Sequence, residues 1–453
     1  MARLIQLLFI VLSAIPAGAS ALPQTVQLGR FGTVPVVGTG GQPAQVALLL
    51  TEDQGLAQAL AEAGFLVLEA DAERYLRLAA GGQPVDPAVD FEALSQAAQQ
   101  ALALPSYHPP VLVGSGVGAA LAYAVLAEAP PRTFAGAVSI GFCPRLPTIK
   151  LRHGNGLQWE KQPQGLRLRP DPRIEDPWIV LDVPGQDCGG ETAADFARTI
   201  AAARVVPAPA GAPRAESWRP QLAQALDVLA QQRRQEAAAD ASRGELRDLP
   251  LTEVAASGPA RDALAVIISG SGGYVGFDRR MGRNLAERGV PVVGLSSLAY
   301  FWKPRDPDGA ARDLARILDH YLAAWHKNKA VLIGYSQGAD VLPFMVNRLP
   351  APLRSKVSVV TLIGPDGVAQ FVLHPDLWVL GRAKAGPVLP EAPEIPKLQG
   401  TSVLCVFGAE EKKSLCREAS PGLASVLEVP GGHSFEGDAP AIAERSLAVA
   451  GVL

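Results

Sequence analysis

Residues 330–348 of this 453-residue chain, AVLIGYSQGADVLPFMVNR, decide its fold. The apolar run at 330–333 is typical of a buried strand, and the composition of residues 339–348 favours a helix. Between them stands Gly334-Tyr335-Ser336-Gln337-Gly338, a G-x-S-x-G motif. In this context a strained turn holds the serine hydroxyl above the end of the strand, and the glycines leave room for backbone nearby. The segment therefore predicts a nucleophile elbow with Ser336 as the nucleophile.

A serine hydroxyl needs a general base, and in proteins with this elbow the histidine stands late in the chain. His433 is one of six histidines and lies in the loop GGHSF at 431–435, after the mostly apolar residues 426–429. His433 follows the serine in the chain, lies in a glycine loop and stands near the C-terminus. All three features are expected of the general base. We therefore predict that His433 is the general base.

Three residues are candidates for the carboxylate that would orient the imidazole. Residues 403–407 predict a strand that ends at a glycine, and the third residue after such a glycine often points into the site. This position favours Glu411. Glu410 is the second candidate, and Asp366, which follows an earlier predicted strand, is the third.

An oxyanion hole for a tetrahedral intermediate would combine two backbone N–H groups. The first is that of Gln337, directly after the serine. The second is expected from the loop SGSGGY at 269–274, where Ser271 and Gly272 follow an early strand and glycines let the backbone approach a substrate. A phosphate-binding loop is disfavoured because no GK[ST] follows and the glycine spacing differs from G-x-G-x-x-G.

The two halves of the chain repeat one pattern of strands and helices. The segment GSGVG at 114–118 corresponds to the elbow, and its Gly116 stands 220 residues before Ser336. The apolar run at 45–50 corresponds to that at 264–269, with an offset of 219 residues. We therefore expect tandem α/β-hydrolase-like domains, each a mostly parallel sheet covered by helices.

The first copy lacks the predicted catalytic residues. Gly116 takes the place of the serine, and residues 205–210, which correspond to the region of the predicted base, contain no histidine. We expect a degenerate, non-catalytic domain over residues 22–240 and a catalytic domain over residues 241–453. The small and polar residues 237–244 are the expected linker.

Residues 1–21 predict a cleavable secretory signal peptide. Arg3 supplies a positive start, and residues 4–15 form a mostly apolar run that is too short to span a bilayer comfortably. Ala17-Gly18-Ala19 then offers small residues to a signal peptidase. We expect an exported, periplasmic protein whose cysteines can oxidise.

Composition excludes several other classes of protein. Hydrophobic residues make up 48% and charged residues 19% of the chain, which excludes a disordered scaffold. The net charge of −3 argues against a protein that mainly binds nucleic acid. The four cysteines contain no CxxC pair that would suggest zinc, and we expect neither metal nor organic cofactor. Cys143 and Cys188 follow strands expected to be neighbours, which leaves a disulfide and two free thiols both open, and the state of Cys405 and Cys416 is open too.

The second half resembles the VirJ/AcvB family of bacterial exported proteins. The most specific run is GYSQGADVLPF at 334–344; the other similar runs are SGSGGY at 269–274, LAYFW at 298–302, NRLP at 347–350 and SLC at 414–416. The resemblance covers roughly residues 248–453, and the whole chain is similar to the longer, AcvB-type members. Members commonly have Asp at the position of Ser271 and Trp at that of Tyr274, so this chain departs from the family pattern in that loop.

The resemblance implies hydrolysis of aminoacyl-phosphatidylglycerol, such as the lysyl or alanyl lipid, at the periplasmic face of the inner membrane. Ser336 would attack the aminoacyl ester with His433 as base, and the reaction would tune the charge of the membrane lipid. Two alternatives stay open. One is a periplasmic accessory or binding factor of type IV secretion, and the other is a general secreted carboxylesterase.

A carboxylate near the serine would help to recognise a cationic aminoacyl group. Asp340, four residues beyond the serine, and Glu436, three residues beyond the base, are the candidates, with a structural role as the alternative for each. Tyr274 in the glycine loop is a further candidate for substrate binding. Trp302 belongs to an aromatic run that would either touch lipid or pack in the core.

Overall fold

The computed structural model of the protein describes residues 25–28, 31–38, 43–81, 85–151, 157–183, 188, 190–207, 218–241, 244–373, 387–417, 425–435 and 437–453. The predicted signal peptide and the candidate residue Glu436 lie outside these described residues. Within the ranges given, no helix has both the length and the apolar character needed to cross a membrane.

The first half of the chain forms an eight-stranded sheet with helices packed on it. The strands in this half of the chain are β1 (Thr25–Leu28), β2 (Gly32–Val37), β3 (Gln45–Leu49), β4 (Phe65–Glu69), β5 (Val111–Ser115), β6 (Gly136–Ile140), β7 (Arg145–Leu146), β8 (Trp159–Gln162), β9 (Gly165–Leu168), β10 (Trp178–Leu181) and β11 (Ala203–Val206). Its helices are α1 (Gln54–Glu62), α2 (Ala72–Gly81), α3 (Pro87–Ala101), α4 (Val117–Glu128), α5 (Ala193–Ala197) and α6 (Trp218–Ala241). The sheet order is β1-β2-β4-β3-β5-β6-β10-β11, and β7, β9 and β8 form a small separate sheet.

The second half forms a seven-stranded sheet. The strands in this half of the chain are β12 (Leu251–Val254), β13 (Ala263–Ile268), β14 (Val292–Leu295), β15 (Lys329–Tyr335), β16 (Val357–Ile363), β17 (Val368–Ala369), β18 (Leu389–Pro390), β19 (Ser402–Gly408) and β20 (Ser425–Val429). Its helices are α7 (Gly276–Glu287), α8 (Ser297–Tyr300), α9 (Pro307–Ala324), α10 (Gln337–Asn347), α11 (Ala351–Arg354) and α12 (Ala439–Val449), with 3₁₀ turns at Gly244–Leu246, Ala392–Leu398 and Leu415–Arg417. The sheet order is β12-β14-β13-β15-β16-β19-β20, and β17 pairs with β18 apart from it.

The two sheets share one topology. Without β1, the first sheet reads β2-β4-β3-β5-β6-β10-β11, which corresponds strand for strand to the order of the second sheet. In each sheet the first of these pairings is antiparallel, and every later one is parallel. This equivalence confirms the predicted tandem α/β-hydrolase-like fold.

The helices before the two elbow strands also begin in the same way. The side chain of Asp86 accepts a hydrogen bond from the backbone N–H of Val89 and caps α3, and Asp306 does the same for Gly309 at the start of α9. Each cap is followed by a proline at the first helical position, where the missing N–H has no cost. The two caps stand 220 residues apart, the same offset that separates Gly116 from Ser336.

Apolar side chains cover both faces of each sheet. All five residues of β3 and all six of β13 are buried, as expected of parallel strands with helices on both sides. Each sheet accordingly has one hydrophobic cluster on each of its faces. Trp218, Leu222 and Leu229 of α6 belong to a cluster of the first sheet, so that this helix packs on the first sheet.

The segment between the sheets is more helical than predicted. The sequence predicts a linker at 237–244, but α6 continues through Ala241. Alanine has the highest helix propensity of all residues, and four of the residues 237–241 are alanine. The chain then passes through the 3₁₀ turn Gly244–Leu246 to β12.

Two disulfides lie near the carboxyl ends of strands, one in each half of the chain. Cys143 pairs with Cys188, and the preceding strands β6 and β10 are parallel neighbours, as the sequence predicts. Cys405 in β19 pairs with Cys416 in the following 3₁₀ turn. Of the two states that the sequence left open for Cys143 and Cys188, the structure has the disulfide.

Removing each disulfide should lower the free energy of unfolding. The Cys143–Cys188 bond closes a loop of 45 residues and the Cys405–Cys416 bond a loop of 11. Loop-closure entropy then predicts a loss of about 4 kcal/mol for Cys143→Ser/Cys188→Ser and about 3 kcal/mol for Cys405→Ser/Cys416→Ser. Urea unfolding of both double variants measures the losses. A variant as stable as the wild type would show that its disulfide does not constrain the unfolded chain.

Candidate active site

Ser336 occupies a strained turn between β15 and α10. Its backbone has φ 51° and ψ −121°, a left-handed conformation that is rare for residues other than glycine. A Cβ on Gly334 would lie 2.4 Å from the carbonyl oxygen of Gly338, and a Cβ on Gly338 would lie 2.0 Å from that of Ile268. Both glycines of the motif are therefore needed for the close passage of backbone, as a nucleophile elbow requires.

The structure brings Ser336, His433 and Glu411 into one hydrogen-bonded chain. His433 Nε2 lies 2.9 Å from Ser336 Oγ, and His433 Nδ1 lies 2.5 Å from Glu411 Oε1. Because a carboxylate only accepts, Nδ1 carries the proton toward Glu411, and Nε2 accepts from the serine hydroxyl. This is the arrangement in which a histidine can take a proton from a serine.

Glu411 is the one of the three candidate carboxylates that contacts His433. Its second oxygen accepts a hydrogen bond of 2.6 Å from the backbone N–H of Gly408, and its side chain is only 12% exposed. Glu410 and Asp366 are exposed. Two contacts therefore hold the Glu411 carboxylate in place, one at each oxygen.

The imidazole of His433 is packed as well as hydrogen-bonded. The ring of Tyr335 lies nearly parallel to it at 5.6 Å, and the Tyr335 hydroxyl donates to the backbone carbonyl of His433 at 2.9 Å. On another side, a Cβ on Gly364 would lie 2.9 Å from His433 Cε1. The glycine at this left-handed position, φ 60°, leaves the space that the ring occupies.

The loop at 269–274, which is the predicted second part of an oxyanion hole, passes close to Ser336. A Cβ on Gly270 would lie 3.6 Å from Ser336 Cβ. The Ser297 hydroxyl donates to the carbonyl of Ser269 at 2.6 Å, and the Ser297 N–H donates to Ser269 Oγ at 2.9 Å, so that the start of the loop is held firmly. Ser271 is exposed at the tip of the loop.

On the other side of the serine, the side chain of Gln337 anchors a second loop. Its Nε2 donates to the carbonyls of Gln370 and Val372 at 3.2 and 3.1 Å. The loops at 269–274 and 370–373 therefore border the elbow from two sides. Both backbone segments predicted to supply oxyanion donors, Gln337 and Ser271-Gly272, lie on this border.

Residues 262–450 match the family described as "Bacterial virulence protein (VirJ)". The second half of the chain, which contains this match, is called the VirJ domain. The match confirms the resemblance to the VirJ/AcvB family that the sequence runs indicate, and it spans the elbow, the acid loop and the histidine loop. No curated protein sequence matches the chain at a significant level.

Solved structures with a similar fold each cover a little under half of this chain. Est1E from Butyrivibrio proteoclasticus has 15% identity over 44% of this chain and 92% of its own, with a TM-score of 0.31. The poly(3-hydroxybutyrate) depolymerase LpqC from Bordetella parapertussis has 17% identity over 45% and 84%, with a TM-score of 0.30. Esterase PE8 has 20% identity over 45% and 99%, with a TM-score of 0.32.

Two of the predicted substrate residues of the VirJ domain lie in packing positions instead. Tyr274 is 6% exposed, and its ring lies against Gly294, where a Cβ would come within 2.3 Å of a ring carbon. Trp302 is 7% exposed, and its indole N–H donates to the carbonyl of Leu104 in the first half of the chain at 2.8 Å. Both side chains are therefore buried against protein, and for Trp302 the packing alternative is the one observed.

Asp340, the predicted partner of a substrate amine, is also buried. Its Oδ1 accepts a hydrogen bond of 2.7 Å from the backbone N–H of Asp366. Its carboxyl group also interacts electrostatically with that of Glu391, which is fully buried. Two neighbouring buried carboxyl groups repel each other when both are charged, which favours a proton on one of them. These contacts favour the structural alternative for Asp340.

The pair of Asp340 and Glu391 is not marked by any motif in the sequence. Burial raises the pKa of both groups, and the charge of Asp340 raises the pKa of Glu391 further. Glu391 lies 51 residues after Asp340 in the chain, in a segment without a motif, so no local pattern marks it. Among the described residues, no group of three or more His, Cys, Asp and Glu side chains is placed to hold a metal ion.

The first half keeps the shape of the elbow without the serine. Gly116 has φ 56° and ψ −125°, close to the values of Ser336. A Cβ on Gly118 would lie 1.8 Å from the carbonyl oxygen of Leu50, as at the equivalent glycine of the VirJ domain. A cavity of about 340 Å³ lies over this turn, lined in part by Glu52, Asp71 and Ser115. The first half therefore has the backbone of the elbow with a glycine in place of the serine.

The buried carboxyl pair should make the stability of the protein depend on pH. Because the pKa of Glu391 is raised above its ordinary value of 4.5, the folded state holds more protons than the unfolded state above that pH. Stability must then fall as the pH rises from about 4.5 towards the folded pKa. Glu391→Gln places a hydrogen-bond donor beside Asp340 and removes the titrating group. Between pH 5 and pH 9 the melting temperature of this variant should therefore fall less than that of the wild type.

The exposed Glu428 supplies the matched control for this measurement. Glu428→Gln should follow the wild-type profile of melting temperature against pH. A single group changes the slope by at most about 1.4 kcal/mol per pH unit. Parallel profiles for Glu391→Gln and the wild type would contradict the raised pKa of Glu391.

Proposed function

We propose that the protein is a serine hydrolase that cleaves the aminoacyl ester of aminoacyl-phosphatidylglycerol, releasing the free amino acid and phosphatidylglycerol. The observation that carries the proposal is the hydrogen-bonded chain from Ser336 Oγ through His433 to Glu411. The VirJ match over residues 262–450, together with the sequence runs similar to that family, supports the choice of substrate.

In the proposed reaction, His433 Nε2 takes the proton of Ser336 as Oγ attacks the ester carbonyl. The negative charge that develops on the carbonyl oxygen would be stabilised by the N–H of Gln337 and by an N–H of Ser271 or Gly272. His433 would then give its proton to the glycerol hydroxyl of the departing phosphatidylglycerol. Water, activated by the same imidazole, would release the amino acid from the acyl-enzyme. Glu411 would hold the imidazole tautomer throughout.

The proposed place of this reaction is the periplasmic face of the inner membrane. The signal-peptide pattern of residues 1–21 supports export. The Cys143–Cys188 and Cys405–Cys416 disulfides support it as well, because such bonds persist in oxidising compartments. We propose residues 22–240 as the non-catalytic domain and 241–453 as the catalytic one.

Substitution of the three hydrogen-bonded residues should abolish ester hydrolysis or strongly lower its rate. Ser336→Ala and His433→Ala should each lower kcat by about 10⁶-fold, and the double variant by little more, because the two residues act as one unit. Glu411→Gln should lower kcat by about 10⁴-fold. Steady-state hydrolysis of p-nitrophenyl acetate measures all three.

Glu410→Gln is the matched control for the acid, since Glu410 is the adjacent carboxylate and is exposed. It should leave kcat within about twofold of the wild type. Covalent labelling by a fluorophosphonate should occur at Ser336 and disappear in Ser336→Ala. A label on another serine, or a larger loss from Glu410→Gln than from Glu411→Gln, would contradict the assignment.

The substrate is tested by incubating the protein with vesicles that contain lysyl- or alanyl-phosphatidylglycerol and measuring the free amino acid. The proposal expects release by the wild type and none by Ser336→Ala. Faster hydrolysis of neutral acyl esters than of aminoacyl esters would indicate a general carboxylesterase. If all esters stay intact, the protein is not a hydrolase, and the accessory role in secretion takes its place.

The first domain should not gain activity from a single substitution. Gly116→Ser rebuilds the motif as GSSVG on a turn that already has the backbone of Ser336, but the sequence from 205 to 217 offers no histidine as base. A serine hydroxyl without a base is a weak nucleophile. In a Ser336→Ala background, Gly116→Ser should therefore hydrolyse p-nitrophenyl acetate no faster than Gly116→Ala. Faster turnover would reveal a base that the correspondence of the two halves misses.

A further inference from the structure

We propose that Gln100, a residue of the non-catalytic first domain, is a positioning residue for ester hydrolysis at Ser336. The observation behind it is a chain of contacts that runs from Gln100, through the loop at 370–373, to Gln337, the residue after the nucleophile. The inference rests on the serine chemistry of the proposed function and not on its lipid substrate. It gives the first domain a part in the reaction although that domain lacks the catalytic residues.

Each of the four backbone carbonyls of the loop at 370–373 accepts a hydrogen bond. Two of them accept from the side chain of Gln337, at 3.2 and 3.1 Å. The carbonyl of Phe371 accepts from the backbone N–H of Arg305 at 2.8 Å. The carbonyl of Leu373 accepts from Gln100 Nε2 at 3.2 Å. The VirJ domain thus holds three of these carbonyls, and the first domain holds the fourth.

The first domain also contacts the segment that pairs with this loop. The backbone N–H of Leu373 donates to the carbonyl of Phe301 at 2.8 Å. The next residue, Trp302, donates from its indole N–H to the carbonyl of Leu104 at 2.8 Å, and its ring lies 5.3 Å from that of Tyr107. The first domain therefore holds both partners of the pairing, one by a side-chain hydrogen bond and the other by a buried aromatic contact.

The end of α3 that carries Gln100 is itself fixed within the first domain. The neighbouring Gln99 is fully buried; its Nε2 donates to the carbonyl of His108 at 2.8 Å, and its Oε1 accepts from the N–H of His108 at 2.9 Å. The chain leaves the helix through Ala103 with a left-handed φ of 53°, and the N–H of Leu104 donates back to the carbonyl of Gln99 at 3.0 Å. Such a turn satisfies carbonyls at the end of a helix and fixes the path of the chain. Gln100 is therefore a donor on a rigid support.

The carbonyl that Gln100 holds lies in a buried part of the loop. Leu373 is only 2% exposed. A buried carbonyl that loses its donor recovers little of the lost hydrogen bond from water. Without Gln100, the loop should therefore shift until this carbonyl finds another partner, and the side chain of Gln337, which donates to two carbonyls of the same loop, should shift with it.

The reaction should be sensitive to that shift because Gln337 adjoins a strained turn. The left-handed backbone of Ser336 persists only where its surroundings enforce it, and the two hydrogen bonds of the Gln337 side chain belong to those surroundings. The N–H of Gln337 is also the proposed first donor of the oxyanion hole. Small displacements of reacting groups cost large factors in rate. Gln100 should therefore affect kcat, through the loop and Gln337, without touching the substrate.

The test compares the full-length wild type with Gln100→Glu, because the two side chains have nearly the same size and an ionised carboxylate only accepts. The variant removes the donor to Leu373 and places a negative charge beside its carbonyl. We expect kcat for p-nitrophenyl acetate to fall by about tenfold, less than the roughly 10²- to 10³-fold loss that follows removal of a whole oxyanion donor. KM should stay within about twofold, as for an interaction that acts on the transition state.

A rescue variant and a matched control accompany this measurement. Gln100→Lys restores a donor to Leu373, and Gln100 is only partly buried, so the longer side chain has room at the edge of the interface. Its kcat should lie within about threefold of the wild type. Gln54→Glu makes the same chemical change at an exposed glutamine on α1 of the first domain and should change neither kcat nor KM. Melting curves show that each variant is folded.

A double variant separates positioning from a general loss of stability. Gln337→Met removes the side-chain donors at the other end of the chain of contacts and leaves the backbone N–H in place. If Gln100 acts through this side chain, the double variant Gln100→Glu/Gln337→Met should have a kcat within about threefold of Gln337→Met alone. If Gln100 only stabilised the protein, the two fold-changes would multiply.

The results that would overturn the inference differ from those that would overturn the proposed function. A wild-type kcat for Gln100→Glu, no rescue by Gln100→Lys, or fold-changes that multiply in the double variant would each show that Gln100 does not position the site, while the hydrolase stands. If the wild type hydrolyses no ester, the proposed function fails and the role of Gln100 fails with it.

Discussion

The left-handed turn at Ser336 is the constraint on which the rest of the site depends. Such a backbone costs a residue other than glycine on the order of 1–3 kcal/mol and persists only where the surrounding structure enforces it. Here β15 and α10 hold both ends of the turn, and the glycines two residues to either side let the two segments come within reach of each other. In return, the turn lifts the hydroxyl to 2.9 Å from the imidazole of His433. In the first half Gly116 adopts the same turn at little cost, because glycine accepts a left-handed backbone freely.

The parallel register of the second sheet brings the acid and the base to that turn. β19 and β20 are parallel neighbours, so the loops after them, which hold Glu411 and His433, leave the same edge of the sheet. The two side chains are 22 residues apart in the chain and yet in hydrogen-bond contact. The Cys405–Cys416 disulfide closes the segment that contains Glu411, so the covalent bond restricts the same loop that the Gly408 N–H holds. The strand order, the disulfide-closed loop and the elbow together bring Glu411, His433 and Ser336 into contact.

The sequence predicted the parts of this arrangement that follow from local patterns. The elbow, the late histidine and the acid position each have a motif or a spacing, and the repeated strand pattern predicted the tandem fold. The contacts that it missed join residues far apart in the chain. Asp340 interacts with Glu391, and Trp302 donates a hydrogen bond to Leu104, which lies almost 200 residues away in the other domain. A buried aromatic residue in the core and one at a domain interface have the same local pattern, so Tyr274 and Trp302 could not be placed by sequence reasoning.

The contacts between the two halves use parts of the first domain that lie outside the turn at Gly116. The indole N–H of Trp302 donates to the carbonyl of Leu104, and Arg279 forms an ion pair with Glu175. Neither partner in the first half belongs to β5, to the turn or to α4. A glycine in place of a serine at position 116 therefore leaves these contacts and the shared strand order of the two sheets unaffected. Because neither the fold nor these contacts depend on the side chain at the elbow, two copies of one topology can differ there.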